Sequence, residues 1–220
     1  MLVIGKQSSG KSTFLKILCF CRWMEKLIMV SDEEAISQYT HNLKFLKSMK
    51  QFHRFNDSYF SSASSIRYEG DTITITMENI LSDLKIPRKP EFETVRYNTK
   101  LSFIPSERNL VSVIRNIDQS YRSAESDVLF NYIFEWGEAK DSYTAEHPKR
   151  LSFTDNIEYI NDGGNDLVRL INENKMIPAY YASSGVQSAM PLDVMVDYFT
   201  GLVGKNASVS KHDLANTLAR

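Results

Sequence analysis

Hydrophobic and polar positions follow two periods along this chain, and the changes of period delimit its predicted elements. An apolar run at residues 2–4 enters a glycine-rich loop, and a largely apolar stretch over 11–29 leaves it, which predicts a strand, a loop and a helix. Apolar residues then recur at three- and four-residue steps, so a second amphipathic helix is expected over about 32–51. These apolar residues are Ile36, Tyr39, Leu43, Leu46 and Met49.

A two-residue period marks the predicted strands. Residues 65–68 and 72–76 alternate on either side of a Glu-Gly-Asp turn, which predicts a β-hairpin. Between 157 and 182 three strand-like segments are separated by two turn-forming segments, which predicts an antiparallel meander. A helix is expected to follow over about 187–202, with Pro191 tolerated in its first turn.

A short apolar segment precedes a polar group in the middle of the chain. Residues 101–104 predict a strand that ends at Pro105, because proline interrupts strand pairing. Ligands of parallel α/β sheets bind at the carboxyl ends of strands, so the side chains that follow either face a ligand or form a surface turn with a Glu–Arg pair. Those side chains are Ser106, Glu107 and Arg108.

The loop after the first predicted strand matches a phosphate-binding motif. It has Gly, four free positions, Gly, Lys and Ser, with a predicted strand before it and a predicted helix after it, as the motif requires. The alternative, a Gly- and Ser-rich turn before an ordinary helix, leaves the Lys-Ser pair unexplained. The residues of this loop are Gly5, Lys6, Gln7, Ser8, Ser9, Gly10, Lys11, Ser12 and Thr13.

The residue types of this loop suit a nucleoside triphosphate and its metal ion. Gly5 and Gly10 allow backbone N–H groups to approach phosphate oxygens, and the helix that follows adds its positive end. Lys11 is expected to reach the β- and γ-phosphates, and the Ser12 hydroxyl is expected to coordinate Mg²⁺. Thr13 is expected on the α-phosphate side, whereas the four positions between the glycines contribute mainly backbone.

The composition is typical of a globular protein and indicates no binding site beyond the glycine-rich loop. The 220 residues, 42% apolar and 24% charged, suffice for one α/β domain or for a domain with a small lobe. A net charge of −1 gives no general argument for binding to nucleic acid or to membranes. No signal peptide and no apolar run of membrane-spanning length is recognised, so a cytoplasmic location is expected.

Other candidate ligand residues have simpler interpretations. Cys19 and Cys21 are interpreted as buried apolar residues of a reducing compartment. His41 and His53 have no Cys or carboxylate partner at metal-site spacing, which favours solvated or core histidines. The basic, proline-broken segment 85–90 is interpreted as a solvated connection, because no aromatic stacking pattern accompanies it.

Three segments, taken in order, resemble a known family. They are the loop at 5–12, the Phe-Ile-Pro-Ser-Glu-Arg-Asn-Leu stretch at 103–110 and the Ala-Ser-Ser-Gly-Val-Gln-Ser stretch at 182–188. This order resembles the AAA-labelled, ABC-type ATPases of bacteria, relatives of the SMC, recombination-repair and OLD-type ATPase heads, many of them associated with phage defence. The likeness covers most of the chain and implies an α/β P-loop NTPase sheet with an antiparallel β subdomain and a helical insertion, whose completeness stays open. It implies one domain over 1–220, divided into 1–30, 31–100, 101–182 and 183–220.

The resemblance also implies roles for residues outside the loop. In this family a Ser-Ser-Gly-x-Gln segment acts as the ABC signature, which in a head-to-head dimer meets the γ-phosphate bound to the other subunit. That role is carried over to Ser183, Ser184, Gly185 and Gln187. On the residues alone, an ordinary serine cap of the following helix is favoured. The place of the Q-loop is taken by Ser106, Glu107 and Arg108, although ABC proteins commonly carry Gln there.

One part of the family pattern is missing from the sequence. No apolar strand ending in acidic residues, the Walker B motif, follows the last predicted helix, and no switch His follows either. Residues 128–135 come nearest, but Asn131 interrupts them and their apolar spacing fits a helical region over 110–137. Glu135 and Asp213 fit the pattern poorly, so no catalytic residue is assigned.

Two functional hypotheses therefore stay open. In the first, the chain belongs to an ATPase that binds ATP and Mg²⁺ and dimerises with nucleotide, as a homodimer or with a partner ATPase half. In the second, it is a non-hydrolysing nucleotide-binding or interaction module. DNA or a defence effector stays open as a further partner, and no membrane partner is expected.

Overall fold

The computed structural model describes residues 3–30, 33–41, 43–79, 82–93, 100–121 and 127–202. Within these residues the chain divides into two compact units, a first unit up to residue 103 and a second unit from residue 104. Both units combine α-helices with an antiparallel sheet, so the chain is of mixed α/β class, as predicted. Among the described residues neither sheet contains a parallel pair of strands.

The described residues of the first unit form three α-helices and one hairpin. Its helices are α1 (Lys11–Val30), α2 (Glu33–Thr40) and α3 (Lys44–His53), and its strands are β1 (Ile66–Glu69) and β2 (Thr74–Met77). Two 3₁₀ turns lie at Asp57–Tyr59 and Pro90–Glu93. One face of α1 is buried in a core shared with α3 and the hairpin, because its apolar residues recur at helical spacing. The buried residues of this face include Phe20, Met24, Leu27 and Ile28.

The helix predicted over 32–51 is interrupted. α2 ends at Thr40 and α3 begins at Lys44, and Leu43 between them has a φ of 56°. A residue in the left-handed region does not continue a right-handed helix, so the periodic apolar positions are shared between two helices. Tyr39 and Met49 are both buried, because the two helices contribute to the same core.

The predicted hairpin forms, and the basic segment 85–90 is tied to it. β1 and β2 pair antiparallel over their full lengths. Isolated antiparallel bridges join Lys85 to Thr76 and Arg88 to Ile73. The segment is therefore a connection that runs along β2, in agreement with the structural interpretation of its sequence.

A carboxyl group is buried inside the first unit. Glu25 on α1 is 1% exposed, and its Oε2 accepts a hydrogen bond from the Tyr68 hydroxyl at 2.5 Å. Its Oε1 accepts from the N–H and the hydroxyl of Thr72 at 2.7 and 2.8 Å. Gly70 leaves room for this group, since a Cβ there would lie 2.3 Å from the carboxyl oxygen. These contacts join α1 to the turn of the hairpin.

The second unit packs helices against a four-stranded antiparallel sheet. The strands lie in the order β3 (Lys149–Arg150), β4 (Ile157–Asp162), β5 (Asn165–Leu170) and β6 (Lys175–Pro178). The helices are α4 (Leu110–Val113), α5 (Ile117–Ser120), α6 (Val128–Lys140) and α7 (Ser184–Leu202). Gly163 and Gly164 form the β4–β5 turn with φ values of 57° and 97°. The core of this unit includes Tyr132, Trp136, Tyr159, Met190 and Met195.

Two predicted strands do not form in the described residues. Residues 3–6 and 101–105 have no regular secondary structure, and Ile4 is 84% exposed. Residues 1 and 2, which belong to the first predicted strand, lie outside the described residues. Both apolar runs are short, and a strand without a neighbour leaves its backbone N–H and C=O groups unpaired. Within the described part of the chain, the glycine-rich loop is therefore held by α1 and by its own contacts rather than by a sheet.

The boundaries of the last elements differ from their predictions. The meander is confirmed, although β6 ends at Pro178 and a 3₁₀ turn follows at Ala179–Tyr181. α7 begins at Ser184 rather than near residue 187, so Pro191 is the eighth residue of the helix and lies beyond its first turn. The two-residue strand β3 is absent from the sequence prediction because two positions define no period.

Two further findings concern the environment of the chain. None of the helices in the described ranges has both the length and the apolar character needed to cross a lipid bilayer. Cys21 is buried, as predicted, whereas Cys19 is only partly buried. Burial raises the pKa of the Cys21 thiol to about 12, so this thiol is poorly reactive in the folded protein.

Candidate functional site

The glycine-rich loop turns sharply before α1. Ser8 and Gly10 have φ values of 62° and 82°, and the N–H of Ser9 donates to the carbonyl oxygen of Lys6 at 3.3 Å. The helix ladder starts with the N–H of Phe14, which donates to the Gly10 carbonyl at 2.9 Å. The N–H groups of the first helical turn have no carbonyl acceptor within the helix. The positive end of the dipole of this 20-residue helix therefore lies at the loop.

The Lys11 side chain folds back over this loop. Its Nζ donates to the carbonyl oxygens of Gly5 at 2.9 Å and of Lys6 at 2.5 Å, and it lies 3.4 Å from Ser9 Oγ. Gly5 leaves room for the Ser9 hydroxyl, because a Cβ there would lie 2.7 Å from Ser9 Oγ. The loop thus wraps around an ammonium group at the start of a helix, and its residues 5–10 are exposed. Two sources of positive potential coincide at one solvent-accessible position.

Thr13 connects the first turn of α1 to a distant segment. Its Oγ1 makes a hydrogen bond with the hydroxyl of Tyr59, which lies in the 3₁₀ turn at Asp57–Tyr59. The Tyr59 ring is 49% exposed. An aromatic side chain therefore borders the glycine-rich loop on the side of Thr13.

The described residues fit a metal ion only as part of a metal–nucleotide complex. No group of three or more His, Cys, Asp or Glu residues within the described ranges could hold a metal ion by itself. Ser12 is exposed on the first turn of α1, where its hydroxyl offers one oxygen atom to a metal ion. Mg²⁺ takes few protein ligands when phosphate oxygens and water supply the others, so this donor set is compatible with a magnesium nucleotide.

The second serine- and glycine-containing segment has a different geometry. Ser183 precedes α7, its Oγ lies 3.5 Å from the N–H of Val186, and its carbonyl accepts the N–H of Gln187 at 2.9 Å. The Gln187 side-chain amide donates to the carbonyl oxygens of Tyr180 at 2.9 Å and Ala179 at 3.4 Å. The segment thus has the contacts of a serine-capped helix start, whose glutamine is bonded within its own unit. Ser184 and Gly185 lie exposed in the first turn.

The structure brings the two segments of the second unit together. Ser106, Glu107 and Arg108 lie in a 3₁₀ turn at Ser106–Asn109, and Ser106 Oγ donates to Glu107 Oε2 at 2.8 Å. Arg108 Nε donates to the Ser188 carbonyl at 3.1 Å, and its Nη2 lies 3.3 Å from Ser188 Oγ. The Q-loop-like and signature-like segments are therefore in contact in the second unit, whereas the glycine-rich loop belongs to the first.

The segment rejected as a Walker B strand is helical. Residues 128–135 form the first part of α6, whose first N–H groups are capped by Asp127 Oδ1 at 2.9 and 2.8 Å. Glu135 is buried within this helix. Asp213 lies outside the described residues. The helical interpretation of 128–135 is confirmed.

A second polar cluster lies between α6 and the sheet of the second unit. The Nζ of the buried Lys140 lies 2.6 Å from Asp118 Oδ2, beside an open cavity of about 630 Å³. Asp166 accepts a hydrogen bond from the buried Tyr159 hydroxyl. Burial raises the pKa of the Asp166 carboxyl to about 6, opposed by the Tyr159 hydrogen bond and by the charge of Lys140. No sequence pattern predicted this cluster, because its members come from four separate elements.

Comparisons of the chain with protein-family models, with curated proteins and with solved structures give no significant match. The resemblance to ABC-type ATPases therefore depends on three short segments. Sequence reasoning placed the loop and the two other segments but missed Tyr59, for which the only signal was a run of aromatic residues between positions 52 and 60.

Proposed function

We propose that this chain is an ATP-binding P-loop protein of the ABC-type ATPase class. The observation that carries the proposal is the Lys11 ammonium group, which the loop carbonyls hold at the N-terminus of α1. A lysine in an ordinary turn points into solvent, because water solvates its charge better than two carbonyl oxygens do. A lysine held over the loop is pre-organised for phosphate, and preorganisation lowers the entropic cost of binding.

The residues of the loop divide the work of binding a nucleotide. The N–H groups that begin α1 donate to phosphate oxygens, and Lys11 adds a charge-assisted hydrogen bond. Gly5 leaves room for the Ser9 side chain, and Gly10 adopts the positive φ of 82° at which the chain turns into α1. Mg²⁺, when bound with ATP, neutralises phosphate charge, and the Ser12 hydroxyl is its proposed protein ligand.

Binding without hydrolysis is the second candidate function. It is favoured by the helical structure of 128–135, which removes the nearest Walker B candidate among the described residues. Hydrolysis needs a group that orients the attacking water and a carboxylate near the metal ion. In the non-hydrolysing alternative, ATP acts as a ligand that joins this chain to a second subunit or to a partner ATPase half.

The resemblance supplies the proposed partner arrangement. In a head-to-head dimer, Ser183, Ser184 and Gly185 of one subunit approach the nucleotide held by the other. The internal hydrogen bonds of Gln187 support a role in holding the shape of this segment. The same resemblance is the basis for three further proposals. They are a cytoplasmic location, a role in phage defence, and DNA or a defence effector as a partner.

Isothermal titration calorimetry with Mg-ATP, together with a phosphate-release assay, tests the proposal. We expect Lys11→Ala to weaken ATP binding by about 10- to 100-fold, because it removes a charge-assisted hydrogen bond. Lys47→Ala, an exposed lysine on α3, is the matched control and should leave the affinity unchanged. Equal ATP affinities of the wild type and Lys11→Ala would contradict the proposal. Phosphate release that depends on Lys11 would favour the ATPase, and binding without release would favour the non-hydrolysing alternative.

A further inference from the structure

The segment that carries Tyr59 is fixed along α1. Lys16, one turn after Thr13, donates from Nζ to the carbonyl oxygen of His53 at 2.9 Å. The same Nζ lies 5.3 Å from the centre of the Phe55 ring. One turn further along the helix, the Phe20 ring lies 6.3 Å from the His53 ring. These contacts place the segment 53–60 alongside the N-terminal half of α1.

The 3₁₀ turn of this segment is held by its own polar contacts. Asn56 Oδ1 accepts the N–H of Ser58 at 2.9 Å and its hydroxyl at 2.8 Å. Lys50 Nζ donates to the carbonyl oxygen of Asp57 at 2.8 Å. The N–H of Tyr59 donates to the Asn56 carbonyl at 3.0 Å. Because these contacts fix the backbone of the turn, the position of the Tyr59 side chain does not depend on the Thr13 contact alone.

The Tyr59 ring is supported on one side and open on the other. Its centre lies 4.9 Å from that of Phe55 at an interplanar angle of 34°, and 5.4 Å from that of Phe60 at 68°. The ring is nevertheless 49% exposed, and its hydroxyl bonds to Thr13. An exposed aromatic ring with aromatic support behind it is a stacking surface, and every nucleobase has a π-face that can use it.

The position of this ring relative to the loop indicates which part of a nucleotide it meets. In the proposed function Lys11 serves the β- and γ-phosphates and Thr13 the α-phosphate side. The sugar and the base follow the α-phosphate in a nucleotide, so a ring bonded to Thr13 lies on the nucleoside side. We propose that Tyr59 forms the nucleoside wall of the site and stacks on the base, an inference that rests on the proposed phosphate-binding function.

This inference defines the class of ligand more narrowly. A triphosphate that carries a base binds more tightly than inorganic tripolyphosphate, because only the former uses the Tyr59 ring. Stacking tolerates different bases, so ATP and GTP are expected to bind with similar affinities. Tyr59 is thus a specificity-determining residue for the presence of a base rather than for its identity.

The test compares Mg-ATP, Mg-GTP and Mg-tripolyphosphate by calorimetry on the full chain. The wild type should bind ATP roughly tenfold more tightly than tripolyphosphate, because the stacking of one base on an aromatic ring typically increases affinity by about this factor. Tyr59→Leu, which keeps apolar bulk without a π-face, should reduce this ratio to near one and leave the tripolyphosphate affinity unchanged. Tyr59→Phe should keep most of the ratio. Phe153→Ala removes a ring of similar exposure, 45%, in the second unit and should change nothing.

The outcomes separate this inference from the proposed function. An unchanged ratio in Tyr59→Leu, with tripolyphosphate binding that depends on Lys11, overturns the role of Tyr59 and leaves the phosphate site standing. A parallel loss of ATP and tripolyphosphate affinity in a folded Tyr59→Leu variant also overturns it, since Tyr59 would then only support the loop. Absence of Lys11-dependent binding by both ligands overturns the inference together with the proposed function.

Discussion

Two helices of this chain start at segments rich in serine and glycine, and the two starts are built differently. Before α1, Gly10 has a φ of 82° and the Lys11 ammonium group lies over the loop, bonded to two carbonyl oxygens. Before α7, Gln187 donates to the preceding 3₁₀ turn and Arg108 donates to Ser188. The first start has its polar side chain at an exposed loop, whereas the second uses its polar side chains to join elements of its own unit.

This difference teaches that serine and glycine before a helix do not by themselves indicate a ligand site. A helix cap supplies hydrogen-bond acceptors from the same chain to the first N–H groups of the helix, as Ser183 does for the N–H groups of Val186 and Gln187. A phosphate loop also needs a cation held in place and a backbone conformation that favours glycine, and the loop before α1 has both. On a single chain, phosphate is therefore expected at the start of α1 and not at the start of α7.

Two carboxyl groups, one in each unit, differ in a related way, although Glu25 is buried and Asp166 is partly exposed. Glu25 in the first unit accepts three hydrogen bonds, two of them from Thr72. Asp166 in the second unit accepts a hydrogen bond from Tyr159, and burial raises the pKa of its carboxyl to about 6. Removal of the two carboxyl groups should therefore have opposite effects on stability near neutral pH.

The largest effect is expected for Glu25→Ala. It removes the acceptor of three buried donors and leaves a cavity between α1 and the hairpin, so the free energy of unfolding should fall by about 3–5 kcal/mol. Urea denaturation followed by circular dichroism measures this change. Glu69→Ala is the control, because Glu69 is exposed and paired with Arg67 on the surface. An unchanged denaturation midpoint in Glu25→Ala would show that the buried network does not hold the first unit together.

The next effect is the pH dependence of Asp166→Asn. The carboxyl of Asp166 has a pKa of about 6 in the folded protein, above its ordinary value near 4. The folded state therefore keeps a proton that the unfolded state has lost between about pH 4 and pH 6, and this contribution to stability is lost as the pH rises through that window. By pH 7 this titration lowers the free energy of unfolding of the wild type by up to about 2–3 kcal/mol. The side chain of the Asn variant does not titrate, so the variant does not undergo this loss.

Urea denaturation of both proteins at several pH values measures this difference. The stability of Asp166→Asn relative to the wild type should rise with pH and level off above about pH 6. Other carboxyl groups titrate equally in both proteins and cancel in the comparison. A difference that stays constant with pH would contradict the raised pKa.

The smallest effects come from a pair of glycine substitutions at the two helix starts. Gly10→Ala should lower the free energy of unfolding by about 1–2 kcal/mol, because an L-residue is strained at a φ of 82°. Gly185→Ala should stabilise by about 0.5 kcal/mol, because it lies in a helix and a Cβ there meets nothing within 4 Å. Thermal unfolding of the two variants measures both changes. Shifts in the same direction would remove the structural contrast between the two starts.

The elements with a clear period could be predicted from the sequence. The hairpin and the meander alternate over several residues, and the β4–β5 turn contains two adjacent glycines that supply its positive φ values. The helix after the loop was predicted at its observed start, Lys11. In each case local preference and tertiary packing require the same structure.

The remaining elements depend on contacts that the sequence does not display. The positive φ of Leu43 divides one predicted helix into two, and leucine is not a residue type that indicates a turn. The apolar runs at 3–6 and 101–105 have strand composition but no described partner. Tyr59 and Thr13 are 46 residues apart, so only the packing of the segment after α3 on α1 brings them together. The glycine-rich loop could be located from its motif, but its aromatic neighbour could not.

The most direct test of the proposed phosphate site is an NMR titration of the ¹⁵N-labelled chain with Mg-tripolyphosphate. The amide signals of Gly10, Lys11 and Ser12 should shift in a saturable manner, because these N–H groups lie at the start of α1 where the phosphate is proposed to bind. The signals of Gly163 and Gly164, which also have positive φ values but form a strand turn, should stay in place. Shifts at the strand turn of the same size as those at the loop, or no shift at the loop, would contradict the assignment of this loop as a phosphate site.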